Sequence, residues 1–396
     1  LLALGVAGVM VRRRGRSRGI AVALLCVMLL TAAQADARQP ELRGLGLFEG
    51  FRDSYAFAVS GDGSVVVGHN FRSSGSPSQE AYRWTAETGM VRLLPEGTSG
   101  TATAVSADGS VIVGRAKLPS WGAYRWDETS GGQPLPVPSG WNAASPQHVS
   151  ADGGVIAGWE GGTAANEAWR WTSSSGTQGL GFLPGYERLS RASTMASDGQ
   201  TVYGPSYNGG MKPFVWTPDG GIAPFSVAVK GVSADGSLFL VGLSREAAFW
   251  TAASGFRMLG LLPGGTSTSG QGMSSDGSVV AGTSYGHDTG QPYNSQAFIW
   301  TEPTGIMHLG SYLTERCGVD LQGWDLVYAH DVSADGSTIV GWGVNPGRTW
   351  EAYRAVIPEP ATLALLGLGA IGLIRRRRPR GRCGRHTHVQ ARGLGG

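Results

Sequence analysis

The sequence predicts an all-β fold: a seven-bladed β-propeller of four-stranded antiparallel blades, closed by an N-terminal strand, with short hydrophobic helices at both ends. Three observations predict it. A phrase best seen as Val105-Ser106-Ala107-Asp108-Gly109-Ser110 returns around Asp62, Asp152, Asp198, Asp235, Asp276 and Asp335. Self-similarity at roughly 40–50 residues is the signature of propellers and solenoids. A second phrase, Glu80-Ala81-Tyr82-Arg83-Trp84-Thr85, follows each copy, with counterparts ending at Trp126, Trp171, Trp216, Trp250 and Trp300. The seventh, Glu351-Ala352-Tyr353-Arg354-Ala355, loses the tryptophan. Within each repeat the period is two, not 3.6: runs such as Val65-Val66-Val67 and Val111-Ile112-Val113 are short, β-branched and bounded by glycine, as strands are.

Each repeat reads as four strands. The first ends at the Val-Ser pair. Asp-Gly then makes a tight turn, because glycine takes positive φ without a Cβ clash. The second strand runs to Gly68, Gly114 or their equivalents, and the third is the Ala-Tyr-Arg-Trp segment. The fourth is Gly89–Leu94 or Phe256–Gly260. The seventh repeat stops at Ala355 without a fourth strand, while a spare one, Leu45–Gly50, precedes the first and resembles Leu259–Gly264. Pairing the two would remove exposed sheet edges and close the ring. A composition with 64 glycines and 15% charged residues suits many tight turns between half-buried strands.

The chain ends read as addresses. Five arginines within residues 12–18 precede an apolar run from Ile20 to Ala33, and Ala33-Gln34-Ala35 is a small-x-small cleavage pattern. Residues 1–37 therefore read as a secretory signal peptide, with Met10 the expected start. At the other end, Pro358-Glu359-Pro360 leads into apolar residues 361–374 and then Arg375, Arg376, Arg377 and Arg378. As a helix this run is ~21 Å long, short of a ~30 Å hydrocarbon core unless the arginines snorkel. The arginines would stay cytoplasmic and place the propeller outside. Residues 379–396 form a basic tail, expected to be disordered.

The 358–378 segment resembles the PEP-CTERM sorting signal of exported bacterial proteins. The repeats over 38–357 resemble the HAF-repeat extracellular family, with Glu-Ala-Tyr (80–82), Glu-Ala-Trp (167–169), Ala-Ala-Phe (247–249) and Gln-Ala-Phe (296–298) in place of its His-Ala-Phe phrase. The resemblance implies an exosortase-type protease as partner, acting at Pro358-Glu359-Pro360. It also implies a product at the envelope, outer surface or extracellular matrix, with a C-terminal helix that holds the inner membrane transiently or stably.

Net charge has to be read by segment. The terminal arginine clusters carry 13 of the 32 basic residues, leaving 19 basic against 29 acidic groups in residues 19–374. Such a body excludes a phosphate-binding nucleic-acid surface. Cys317 is the single cysteine between the end segments, so no internal disulfide is available. Each repeat offers one Asp beside Gly, which fits a turn and not the several oxygens calcium needs. The repeated tryptophans are expected in the core. Glu315, Asp320, Asp325, His287-Asp288 and His386-x-His388 have no catalytic or metal-ligand spacing, so no catalytic residue, metal or cofactor is assigned.

Candidate function lies where the repeats differ. The loops between second and third strands present Trp121, Trp159, Tyr207, Tyr285, Tyr293, Trp342 and Trp350 among small polar residues, and loops on rigid scaffolds carry binding. The expected function is non-enzymatic binding of extracellular polysaccharide or protein. The alternative is a glycan-active hydrolase or lyase at the channel mouth. The longest insertion, Ser311–Asp331, is placed over the channel.

Overall fold

The structure is a computed structural model that describes residues 38–358, apart from 74, 76, 139–140, 142–143, 162–165, 289 and 291–292. The leader with Ala33 and Ala35, Glu359, Pro360, the 361–374 helix, the four arginines and the tail lie outside the described residues.

The described strands form seven sheets. After β1 (Glu41–Gly44), blade 1 is β2 (Asp53–Val59), β3 (Val65–Phe71), β4 (Gln79–Thr85) and β5 (Gly89–Arg92). Blade 2 is β6 (Gly100–Val105), β7 (Val111–Lys117), β8 (Trp121–Asp127) and β9 (Gly131–Pro134); blade 3 is β10 (Ser145–Val149), β11 (Val155–Trp159), β12 (Ala168–Thr172) and β13 (Gly176–Gly179). In blade 4 the first strand is broken into β14 (Leu189–Ser190) and β15 (Thr194–Met195), ahead of β16 (Val202–Tyr207), β17 (Met211–Thr217) and β18 (Gly221–Pro224). Blade 5 is β19 (Val229–Val232), β20 (Phe239–Leu243), β21 (Glu246–Thr251) and β22 (Gly255–Met258). Blade 6 is β23 (Ser267–Met273), β24 (Val279–Tyr285), β25 (Ser295–Thr301) and β26 (Gly305–His308). Blade 7 takes β27 (Asp325–Val332), β28 (Thr338–Val344) and β29 (Trp350–Val356), and β1 pairs with β29 as its outer strand.

That outer strand lies earlier in the chain than the Leu45–Gly50 segment expected there. Glu41 faces Val356 and Gly44 faces Tyr353, and only Leu45 extends the pairing, donating its N–H to Ala352 O at 2.9 Å. Leu45 and Phe48 instead fill a core between blades 7 and 1 with Val340, Ala352, Val66 and Tyr82. The Ser311–Asp331 insertion reaches the channel only at its end, through His330 and Asp331. It opens in helix α1 (Leu309–Cys317), whose Leu309, Tyr312 and Leu313 pack into the core of blades 6 and 7, and it ends in β27. The 309–324 stretch contributes nothing to the channel wall.

A glycine in the second strand fixes the register within a blade. Six first strands carry a one-residue bulge near the turn, at 56/58, 102/104, 146/148, 229/231, 270/272 and 329/331, and β27 has a second at 326/328. The bulge presses a carbonyl of the first strand against the second. A Cβ on Gly68, Gly114, Gly158, Gly282 or Gly341 would collide with that carbonyl, Tyr55 O in the case of Gly68. Opposite each of these glycines on the third strand lies an aromatic ring: Tyr82, Tyr124, Trp169, Phe298 and Tyr353, all buried. Tyr82 and Tyr353 donate their hydroxyls to the same carbonyls, those of Tyr55 and Tyr328, at 3.0 and 2.9 Å. The deepest aromatics are thus those two places before the repeated tryptophans. Of the latter, Trp84 and Trp300 are buried and the other four half-buried. Arginines of preceding blades cover some of them: Arg354 lies over Trp84, Arg170 over Trp216 and Arg257 over Trp300.

Blade 5 breaks this rule. There Val241 takes the glycine's place, paired with Val229 before the bulge and with Ala248 on the third strand, and the ring moves one place on, to Phe249 opposite Leu240. A Cβ on Gly242 would meet only the Lys230 side chain, at 3.5 Å. Gly242 lies one place beyond that position, so the two glycines make a contrasting test. Gly68→Ala should cost about 3 kcal/mol or more, since backbone would have to move, whereas Gly242→Ala should stay within about 0.5 kcal/mol. Thermal melting of both variants measures this, and equal losses would contradict the bulge assignment.

Candidate functional site

Because the strands alternate in direction, the Asp-Gly turns lie on one face of the propeller. The second-to-third-strand loops and the blade-to-blade connections lie on the other. On the turn face the repeated aspartates are consumed by the turns. Asp108 Oδ1 accepts from Ser106 Oγ, Ser110 N and Ser110 Oγ at 2.6–3.0 Å, and these bonds, that from Ser106 foremost, lower its pKa. Among the described residues no group of three or more His, Cys, Asp or Glu is placed to hold a metal.

The bulges create the channel wall. A bulge leaves one residue unpaired and re-aims its side chain, and in every bulged blade that residue stands three places before the turn serine. Phe57, Thr103, Gln147, Lys230, Gln271 and His330 occupy the position, with Ser193 at its equivalent in the broken strand of blade 4. All seven line one cavity of about 750 Å³. Several also stitch neighbouring blades: Thr103 Oγ1 donates to Pro146 O at 2.9 Å, and His330 Nδ1 donates to Phe57 O at 3.0 Å.

Between blades 7 and 1 the wall becomes aromatic. The His69 ring stacks on Phe57 at 5.3 Å, and Phe57 meets His330 at 5.0 Å and Trp342 at 5.6 Å. Trp342 stacks on Tyr328 at 5.1 Å and meets Tyr55 at 5.4 Å. The row continues outward to Trp350, 6.2 Å from Tyr328, and Tyr293, 5.5 Å from Trp350. Tyr293 OH donates to Asp325 Oδ2 at 2.7 Å, and Arg348 lies 3.4 Å from the same oxygen.

Burial sets the protonation of this wall. Desolvation pushes His69 down to about 4 and lowers His330 against the opposing hydrogen bond to Phe57 O, so neutral imidazoles line it. Asp331 keeps some exposure to the channel but lies deep in the protein, and desolvation pushes its carboxyl up to about 7. Its Oδ2 accepts from Val59 N at 3.0 Å and its Oδ1 from Val332 N at 2.8 Å, which opposes the rise. No hydrogen bond joins it to an imidazole or a second carboxylate among the described residues.

The sequence-nominated aromatics divide three ways. Trp342, Trp350 and Tyr293 share the row just described, and Tyr285 stands beside it at the end of β24, where desolvation and then Tyr328 raise its hydroxyl pKa. Tyr207 lines the channel across from them. Trp121 and Trp159 stand apart on blades 2 and 3, under Arg115 and Arg191. Most sit at strand ends instead of in loops, Trp342 lies within β28, and only Tyr293 is outside a strand. Tyr55, Phe57, Tyr328, His69 and Asp331 were not nominated from the sequence, and His330 entered only as part of the Ser311–Asp331 insertion. The available signal was the place three before each turn serine, which varies from Phe to Lys beside a repeated turn phrase. Of the other candidates, Glu315 is exposed, and His287 Nε2 bonds Ser284 Oγ at 2.8 Å. Cys317 is half-buried with its thiol pushed up to about 11 by desolvation.

Comparison with known proteins identifies the C-terminal segment. Residues 356–378 match the PEP-CTERM protein-sorting motif, which marks a protein for export and sorting to the cell surface. Its first two residues, Val356 and Ile357, are buried in blade 7, where Ile357 N donates to Ser337 O at 2.8 Å. No helix of the described residues is long and apolar enough to cross a membrane. No curated protein matches the chain. Among solved structures, the β-propeller domain of the Trilobed protease from Pyrococcus furiosus is 10% identical with a TM-score of 0.51, over 77% of this chain and 95% of that one. Puromycin hydrolase is 13% identical with a TM-score of 0.51, over 78% of this chain and 52% of its own. TolB from Acinetobacter baumannii is 14% identical with a TM-score of 0.44, over 62% of this chain and 63% of its own. The chain therefore spans less than two thirds of TolB and about half of puromycin hydrolase. The two likenesses at 0.51 establish the propeller fold.

Asp331 supplies the pH test. Its folded pKa of about 7 lies above the unfolded value of 3.8, so the folded state holds the proton longer. Stability should therefore fall as pH rises through the window between those values, and level off above about 7. Melting temperatures of the wild type should decline relative to Asp331→Asn across that window. A constant difference would contradict the desolvated carboxyl.

Proposed function

We propose that this chain is an exported, surface-sorted, non-enzymatic β-propeller that binds extracellular polysaccharide or protein at the aromatic mouth of its channel. The row of rings from Tyr293 through Trp350, Tyr328 and Trp342 to Tyr55 and Phe57 carries the reading. Aromatic faces with few polar groups offer large contact area at low conformational cost, and Thr, Gln and neutral His beneath them offer hydrogen bonds to hydroxyl-rich chains. The HAF-type reading of the repeats rests on their recurring Ala-aromatic phrase. The sorting motif supports exosortase handling, and in this reading the apolar 361–374 segment holds the inner membrane until cleavage. The described residues 38–358 keep an excess of acid over base, which argues against nucleic acid.

The non-enzymatic reading is supported by the state of Asp331, whose two oxygens are both engaged by backbone N–H groups. The same carboxyl favours a second reading, a glycan-active hydrolase or lyase. A group titrating near neutrality suits general acid–base work, but that chemistry also needs a second group within reach of the reacting bond.

A glycan array probed with the exported protein tests the binding reading. Trp342→Ala should weaken every positive signal about tenfold, equivalent to about 1.4 kcal/mol, while Val91→Ala on the exposed outer strand β5 should leave them unchanged. Signals insensitive to Trp342 would exclude the mouth, and cleaved glycan products would favour the enzyme. For sorting, replacing Pro358-Glu359-Pro360 by alanines should leave an unprocessed membrane precursor. Unchanged release after that replacement would argue against exosortase.

A further inference from the structure

The channel cavity reaches outward between blades 4 and 5. There it touches Pro205 and Tyr207 of β16, Met211 of β17 and Gly242 of β20, well past the first strands. Here Val241 and Ala248 stand where other blades pair a glycine with a ring, and beyond them a Cβ on Gly242 would meet only the Lys230 side chain. Tyr207 and Met211 present 38% and 50% of their surfaces, enough for a ligand to lie against them.

Lys230, the bulge residue of β19, stands beside this recess. Its Nζ donates to Ser269 Oγ at 2.7 Å, and no carboxylate of the described residues lies within ion-pair distance. An ammonium carries three donors, so two remain for a ligand. The other charged group of the cavity, Asp331, has both oxygens engaged by backbone, and the wall imidazoles His69 and His330 are neutral. His148, which bonds Ser193 O at 2.6 Å, is also held toward its neutral form by desolvation. Lys230 is thus the charge in this cavity with donors to spare. Gln271, at the same place on the next blade, offers an amide suited to a hydroxyl-rich chain.

We infer that the recess between blades 4 and 5 is a subsite for an acidic polysaccharide, with Lys230 pairing its carboxylate or sulfate group and Tyr207 stacking against the sugar ring. This deepens the proposed function and rests on polymer binding at the channel mouth.

Affinity electrophoresis of the exported protein through gels holding polygalacturonate, dextran sulfate or uncharged dextran separates the two ideas. The wild type should bind one of the acidic polymers about tenfold more tightly than dextran at low salt, and that preference should shrink at high salt. The tighter acidic polymer identifies the acid group. Lys230→Gln should abolish the preference while melting like the wild type, and Lys230→Arg should restore it. Trp342→Ala should weaken all three polymers. A wild type that prefers dextran, or a Lys230→Gln variant that keeps the acidic preference, would overturn the subsite alone. Binding of none of the polymers, or of an acidic protein in their place, would overturn the subsite together with its premise.

Discussion

A ring of backbone hydrogen bonds on the turn face holds the blades in register, and the channel depends on it. In five turns the residue before the aspartate donates to the matching residue of the next blade: Gly61 to Ala107 at 2.9 Å, Ala107 to Ala151 at 3.0 Å and Ala151 to Ser197 at 2.8 Å. The series continues from Ala234 to Ser275 and from Ser275 to Ala334, and Asp335 N returns to Gly61 O at 3.2 Å. The Asp-Gly glycine adds a second constraint. It adopts positive φ, and its bare Cα packs on the first residue of the preceding blade's second strand, as Gly109 does on Val65 and Gly153 on Val111. One short phrase thereby makes the turn, satisfies its own aspartate and docks the neighbouring sheet.

The junction between blades 4 and 5 is the exception in each respect. Among the described residues no bond of this series joins Ser197 to Ala234, and Gly236 has open space where its counterparts have a side chain. Ala196 replaces the turn serine, and the first strand of blade 4 is split. A cluster of Tyr203, Phe225, Phe239 and Trp250, with centroids 5.2–5.7 Å apart, holds this junction instead. Side-chain packing replaces the backbone ring at the place where the channel widens toward Tyr207.

Seven blades of four strands were legible because turn chemistry and β-branched runs are local signals that recur. The closing strand was misplaced because Leu45–Phe48 carries the apolar pattern of a fourth strand. That pattern serves core filling, while the less apolar Glu41–Gly44 takes the sheet edge. The insertion before β27 hid a helix, since α1 is short and its buried Leu309, Tyr312 and Leu313 follow directly on β26. Half of the aromatic mouth was found from uneven loops. Its inner half was missed because a bulge breaks the strict inward–outward alternation of a strand, so Phe57 and His330 point where simple alternation does not put them.

The fold separates constancy from variation. Positions fixed across the repeats lie in turns, beneath rings or against bulges, and the bulge residues, which vary, face the channel. The strand that runs into the sorting motif, β29, starts at the aromatic mouth and ends on the turn face, so the chain leaves the propeller opposite the proposed binding surface. Residue-resolved hydrogen exchange tests the ring of turn-to-turn bonds most directly. We expect the amides of Ala107, Ala151, Ala234 and Ser275 to be protected and that of Ser197 to exchange faster than all four. Equal protection at Ser197, or free exchange at the other four, would contradict the ring.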